Sequence, residues 1–156
     1  MNKIDNKRNL FKEAVDATPD VTGRHVAGLK ALGSHSKLVK LTDNNQCNGS
    51  VDIDACTEKK YPAANRWDYV LSYKGIVYFI EIHSAETGEV KTVLRKLEWL
   101  KDWLTMHAPN IDKLKAQKHP PYYWIQTGRY NIQKNSPQYR QAIQAGIKPI
   151  PQLRLN

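Results

Sequence analysis

Asp68, Glu81 and His83, with Arg66 just upstream, are the residues whose types and spacing could do chemistry in this chain. Two β-branched and aromatic runs, Arg66 to Tyr73 (RWDYVLSY) and Ile76 to His83 (IVYFIEIH), flank Lys74-Gly75. A two-residue loop ending in glycine is the preferred connection of a hairpin with a primed turn. With that loop Tyr73 pairs with Ile76, Asp68 falls opposite Glu81 and Arg66 opposite His83. Alternation then puts all four side chains on one face. Directly opposed carboxylates, with Cβ atoms about 5 Å apart, repel each other. They need a shared proton, a cationic neighbour or a divalent metal. Carboxylate oxygens and water suit a hard cation such as Mg²⁺ or Mn²⁺. Such an ion would acidify a bound water and stabilise charge on a phosphoryl group, and His83 would orient or deprotonate that water. The same register allows a plainer outcome, a cross-strand salt-bridge network in which Arg66 and His83 neutralise the two acids.

These residues need elements to hold them. On the opposite face of the hairpin, Trp67, Tyr69, Leu71, Tyr73, Ile76, Tyr78, Ile80 and Ile82 form an apolar layer, while Val70, Val77 and Phe79 lie behind the polar cluster. A helix is predicted from about Thr87 to His107, with Val90, Val93, Leu94, Leu97, Leu100 and Leu104 as its apolar stripe. Glu86 and Glu89 suit its positive N-terminal end. Upstream, Leu10, Phe11, Ala14 and Val15 mark a short helix that Pro19 stops. Thr18-Pro19-Asp20 then opens a second helix carrying Val21, Val26, Leu29 and Leu32 and closing at Gly33. Lys37 to Leu41 reads as a strand and Asp43 to Ser50 as turn chemistry. Val51 to Ala55 alternates briefly, placing Asp52 and Asp54 on one strand face. Tyr122 to Thr127 is a further strand, and Ser136-Pro137 starts a last helix that Gly146 ends. This order predicts an α/β (α+β) fold, a mixed central sheet with an antiparallel hairpin and helices on both faces. The 156 residues suit one domain, with a helical extension over 1–18, a core over 21–146 and a tail over 147–156.

Charge points to a partner class. The chain nets +9, yet from Lys113 onward there are eight basic residues and no carboxylate, against sixteen basic and fifteen acidic residues before it. An unneutralised basic segment is the footprint of a polyanion binder, or else a solvated face that keeps the protein soluble. On the first reading Arg66, Lys113, Lys115, Lys118, Arg129 and Lys134 contact nucleic acid. Tyr122, Tyr123 and Trp124, beside Lys118 and Arg129, either stack on bases or pack in the sheet. The longest uncharged apolar run, Gly75 to Ile80, is too short to span a bilayer, and the first residues carry no signal-peptide stretch. A cytoplasmic protein with reduced thiols is expected, with no membrane partner. Cys47 and Cys56, with His35 or His83, lack the short ligand spacing of a zinc site. Trp99 and Trp103, four apart on the long helix, either pack under a terminal segment or make a homodimer contact.

Asp68, a hairpin turn, Glu81-Ile82-His83, an amphipathic helix and a further strand together resemble the PD-(D/E)XK nuclease superfamily, with a restriction-endonuclease-like core. The match in order of elements spans about Val21 to Gly146. The resemblance implies a metal-dependent nuclease acting on nucleic acid, DNA before RNA. Asp68, Glu81 and the backbone carbonyl of Ile82 would then be the ligands of Mg²⁺ or Mn²⁺, with position 83 placing the attacking water. His83 stands where the motif has lysine and offers no permanent ammonium. The alternative is a nuclease-derived binding or interaction module without catalysis.

Overall fold

The computed structural model describes residues 8–156. Its centre is the predicted hairpin. Strands β3 (Tyr69–Tyr73) and β4 (Ile76–Glu86) pair antiparallel with Tyr73 opposite Ile76 and Tyr69 opposite Ile80. Lys74 and Gly75 both adopt positive φ, 52° and 77°, as a type I′ turn requires. Strand β2 (Cys47–Asp52) lies antiparallel on the far side of β3. After β4 the chain crosses over through a helix and returns as β5 (Tyr122–Asn131), parallel to β4. The mixed sheet therefore runs β2-β3-β4-β5.

Among the described residues five α-helices accompany the sheets: α1 (Leu10–Asp16), α2 (Ile53–Thr57), α3 (Val90–His107), α4 (Pro109–Asp112) and α5 (Pro137–Gln144). The crossover helix α3 buries Val90, Val93, Leu97, Leu100 and Leu104 as the stripe predicts, and adds Trp103. They join Val70, Val77 and Phe79 of the sheet, Phe11 and Val15 of α1, Ile111 of α4 and Ala142 of α5 in one core. Of the expected extension over 1–18, the described part thus contributes core side chains, Phe11, Ala14 and Val15. Trp67 belongs to this helix-side core, not to the opposite apolar layer. The reason is that β3 starts only at Tyr69, so strand alternation does not reach residue 67.

The other face departs from expectation. Leu71, Tyr73, Tyr78, Ile80 and Ile82 are covered by a 3-10 stretch over Lys30–Leu38 and by a second, two-stranded parallel sheet. Its strands are β1 (Val39–Leu41) and β6 (Leu153–Leu155), so the last residues complete a sheet and close a core. Among the described residues, then, the α-helices represented in the two cores pack on one face only. The helix expected from Pro19 to Gly33 is absent, leaving a 3-10 turn at Pro19–Val21 and an isolated bridge from Val26 to Ser50. Gly23 and Gly28 sit at φ 76° and 55°, left-handed values that interrupt a right-handed helix. Asp52 and Asp54 share no strand face either. Asp52 ends β2 and caps α2, its carboxylate accepting from Ala55 N–H at 2.9 Å.

Trp99 and Trp103 stack 5.9 Å apart, and Tyr61 meets Trp99 edge-on. The Trp103 indole donates to Asp20 at 2.9 Å, alongside Tyr61 and Lys60. Burial raises the Asp20 pKa, but these donors outweigh it and hold the carboxyl below its usual range. The tryptophan pair thus fastens the segment after α1 to α3. Among the described residues no helix is long and apolar enough to cross a membrane.

Candidate active site

Asp68 and Glu81 meet. Because β3 begins one residue later, Asp68 lies just outside the ladder, yet it continues the pairing by other atoms. Its N–H donates to Glu81 Oε1 at 3.2 Å, and its Oδ2 accepts from Ile82 N–H at 3.0 Å. The group between the acids comes from α3. Lys96 Nζ donates to Glu81 Oε2 and lies 3.5 Å from Asp68 Oδ1. Glu81 has no solvent exposure, while Asp68 and Lys96 keep 21% and 16% of their side chains exposed. The site is therefore a buried ion pair with one accessible edge.

Burial pushes the Glu81 carboxyl up, and the Asp68 charge adds to this; His83 and Lys96 pull the other way. For Lys96 burial works against the charge, but Glu81 and Asp68 overcome it and hold the ammonium above its ordinary value. His83 is engaged at both ring nitrogens. Nδ1 faces Glu81 Oε2 at 3.6 Å, and Nε2 lies 2.9 Å from Glu89 Oε2, in the 3-10 turn that leads into α3. The interaction with Glu81 raises the His83 pKa, burial opposes, and Glu89 raises it again, leaving it above 6.5.

A stability signature follows from that shift. A histidine whose folded value is raised contributes fully below its unfolded value and loses the contribution as pH rises through the folded one. The wild-type advantage in thermal unfolding over His83→Gln is thus greatest below pH 6.5 and shrinks toward alkaline pH. A gap that does not change with pH would show that the imidazolium makes no such contact.

Arg66 is the clear correction among the sequence-derived site residues. It is not opposite His83. Its Nε donates to Asp54 Oδ1 at 2.8 Å and its Nη1 to the carbonyls of Tyr61 and Pro62. Residues 66–68 lie outside the ladder, so the pairing rule that placed Arg66 beside the acids does not act there. Lys115 pairs with Asp112 at 3.0 Å and, with Lys118, Lys101 and Tyr122, lines an open cleft of about 620 Å³ near the end of α3. Lys113, Arg129 and Lys134 are exposed. Trp124 is buried and donates to the His83 carbonyl, Tyr122 stacks on Phe79 and Tyr123 packs against Tyr78, so all three aromatics pack in the sheet. His35 bonds to the Tyr69 hydroxyl, and Cys47 and Cys56 are free thiols whose pKa values burial raises. Among the described residues no group of three or more His, Cys, Asp or Glu side chains is placed to hold a metal ion.

Lys96 and Glu89 were not singled out by spacing. A signal for Lys96 exists nevertheless. It lies three residues after Val93 and four before Leu100, inside the apolar stripe of α3. A lysine there faces the core and needs a buried counter-charge. Compared with family models, curated proteins and solved structures, the chain matches none.

Proposed function

We propose that this chain is a metal-dependent nuclease of the PD-(D/E)XK kind, hydrolysing phosphodiesters of nucleic acid, DNA before RNA. The observation that carries the reading is the convergence of Asp68, Glu81 and Lys96, two acids and a permanent ammonium on adjacent elements. Three antiparallel strands, a crossover helix and a parallel fourth strand support the same core. Lys96 supplies from α3 the cation that position 83 lacks.

The donor set suits a hard ion in kind, since Mg²⁺ is commonly held by one or two carboxylates, its waters and substrate phosphate. Asp68, Glu81 and the Ile82 carbonyl would hold it, and when bound it would supply an acidified water and a counter-charge for the phosphoryl oxygens. The residues of the chain do the rest. Lys96 leaves the space between the acids, which its flexible four-carbon stem allows, and its Nζ donates to the attacking water or to a phosphate oxygen. His83, clasped by Glu89, holds Glu81 in orientation and is a poor base while both ring nitrogens face carboxylates. The basic C-terminal third tracks the phosphate backbone.

One observation favours a second reading. Glu81 is fully shielded and already paired with Lys96, as expected of a nuclease-derived module that binds without cutting. Plasmid nicking in Mg²⁺ or Mn²⁺ separates the two. Wild type should nick only with the divalent ion, and Asp68→Asn should fall to background. Undiminished nicking by the variant would remove the assigned site, and none by wild type in either ion would leave the binding module.

A further inference from the structure

Three lysines from the near-neutral residues 1–112 join Arg154 of the basic C-terminal segment in one surface. In the small parallel sheet Lys40 of β1 is paired directly with Arg154 of β6. Both side chains are exposed. Like charges facing each other across neighbouring strands destabilise a sheet; the Arg154 guanidinium is met by the neutral Gln152 side-chain amide, which leaves both charges without a counter-ion, so the pair favours an anion. Lys40 also belongs to an open cleft of about 610 Å³ that Lys30 and Lys37 line as well, with Val39 and Leu41 among its apolar walls. A second shallow cleft of about 220 Å³ shares Lys40 and Leu41 and reaches Arg154. No aspartate or glutamate side chain lines either cleft. Asp43, the acid closest in sequence to Lys40, caps the next turn by accepting from Asn45 N–H at 3.0 Å. Among the described residues no ion pair involves Lys30, Lys37, Lys40 or Arg154.

We infer that the Lys30–Lys37–Lys40–Arg154 surface is a second phosphodiester-backbone contact, remote from the acids. It sits on the sheet face covered by β1 and β6, whereas Lys96 reaches the acids from α3 on the other. Two open clefts joined at Lys40 form a track, which suits a polymer passing over the surface better than a small ligand, whose pockets enclose most of it. The identity of the ligand rests on the nuclease reading; the charge geometry does not. Sequence hides the three lysines because residues 1–112 balance sixteen bases against fifteen acids, and only the fold brings them beside Arg154.

Binding of a labelled DNA duplex to the full chain in EDTA, over a salt series, tests it without any cleavage. Each lost phosphate contact lowers the slope of log K against log salt by about 1. Lys37→Gln/Lys40→Gln should therefore lower it by about 2, and adding Arg154→Gln by about 3 in all. All three positions are exposed, and relief of the Lys40–Arg154 repulsion should leave the variants at least as stable as wild type. The charge-matched control Lys12→Gln/Lys59→Gln, also at exposed positions, should change the slope by less than about 1. An unchanged slope in the first variants, or an equal drop in the control, overturns the proposal. Because no divalent ion is used, failure of nicking leaves this readout unaffected, and the two ideas can fail separately.

Discussion

Replacing Lys96 by methionine is expected to destabilise the protein by about 3 to 5 kcal/mol at neutral pH, the range for breaking one side of a buried ion pair. Methionine keeps most of the stem and its packing, so the loss comes from Glu81, which has no access to solvent. The pH dependence gives the cause away. Burial already raises the Glu81 pKa, and without the ammonium it rises further. A group with a raised folded value favours the fold while protonated and withdraws that support as pH rises. The gap between wild type and variant in urea unfolding therefore widens toward neutral pH and narrows in mild acid. Lys96→Met/Glu81→Gln should recover most of the loss, because a neutral amide replaces the stranded charge. A single variant as stable as wild type, or a double variant worse than the single, would show that no ion pair holds this site.

The same variant asks what the acids can hold once the ammonium is gone. Asp68 and Glu81 then face each other as like charges, the arrangement that recruits a divalent ion. Any ligand that binds only the folded state raises its stability with concentration. Mg²⁺ or Mn²⁺ should raise the unfolding temperature of Lys96→Met and leave Lys96→Met/Glu81→Gln unmoved. A flat response in both would remove the ion from the proposed mechanism while leaving the fold intact.

The residues involved show how far sequence reaches. Lys74-Gly75 set the turn, the turn set the register, and the register brought Asp68 to Glu81. That chain of inference is local and depends on period two alone. It failed for Arg66 and Trp67, where the strand had not yet begun and alternation has no force. Lys96 was hidden for a different reason. It is 28 residues from Asp68, on a helix whose periodic signal comes from its leucines and valines. The covering of the second face was illegible too, since β1 and β6 are three residues each and pair across most of the chain. Short non-local strands leave almost no periodic trace.

Whether the ammonium matters for its charge or for its place on α3 can be decided by moving it. Lys96→Met should slow divalent-dependent cleavage by roughly 10²- to 10³-fold, the usual loss when one preorganised donor to developing charge is removed. The loss should fall mainly on kcat, because the donor acts on charge that builds in the transition state. His83 stands on β4 with Nδ1 3.6 Å from Glu81 Oε2, so a longer side chain there can reach the same oxygen. His83→Lys in the Lys96→Met background should then regain at least about tenfold of the lost rate, since oriented positive charge supplies several kcal/mol in a shielded site. It should also restore part of the stability, because Glu81 again has a permanent counter-charge. His83→Lys alone sets two ammonium groups against one buried carboxylate and should lower the melting temperature with little gain in rate. If Lys96→Met cleaves as fast as wild type, Lys96 is only the counter-ion of Glu81. If the transplanted lysine restores stability but not rate, the ammonium acts from α3 alone, and position 83 cannot play the part that lysine plays in the resembled motif.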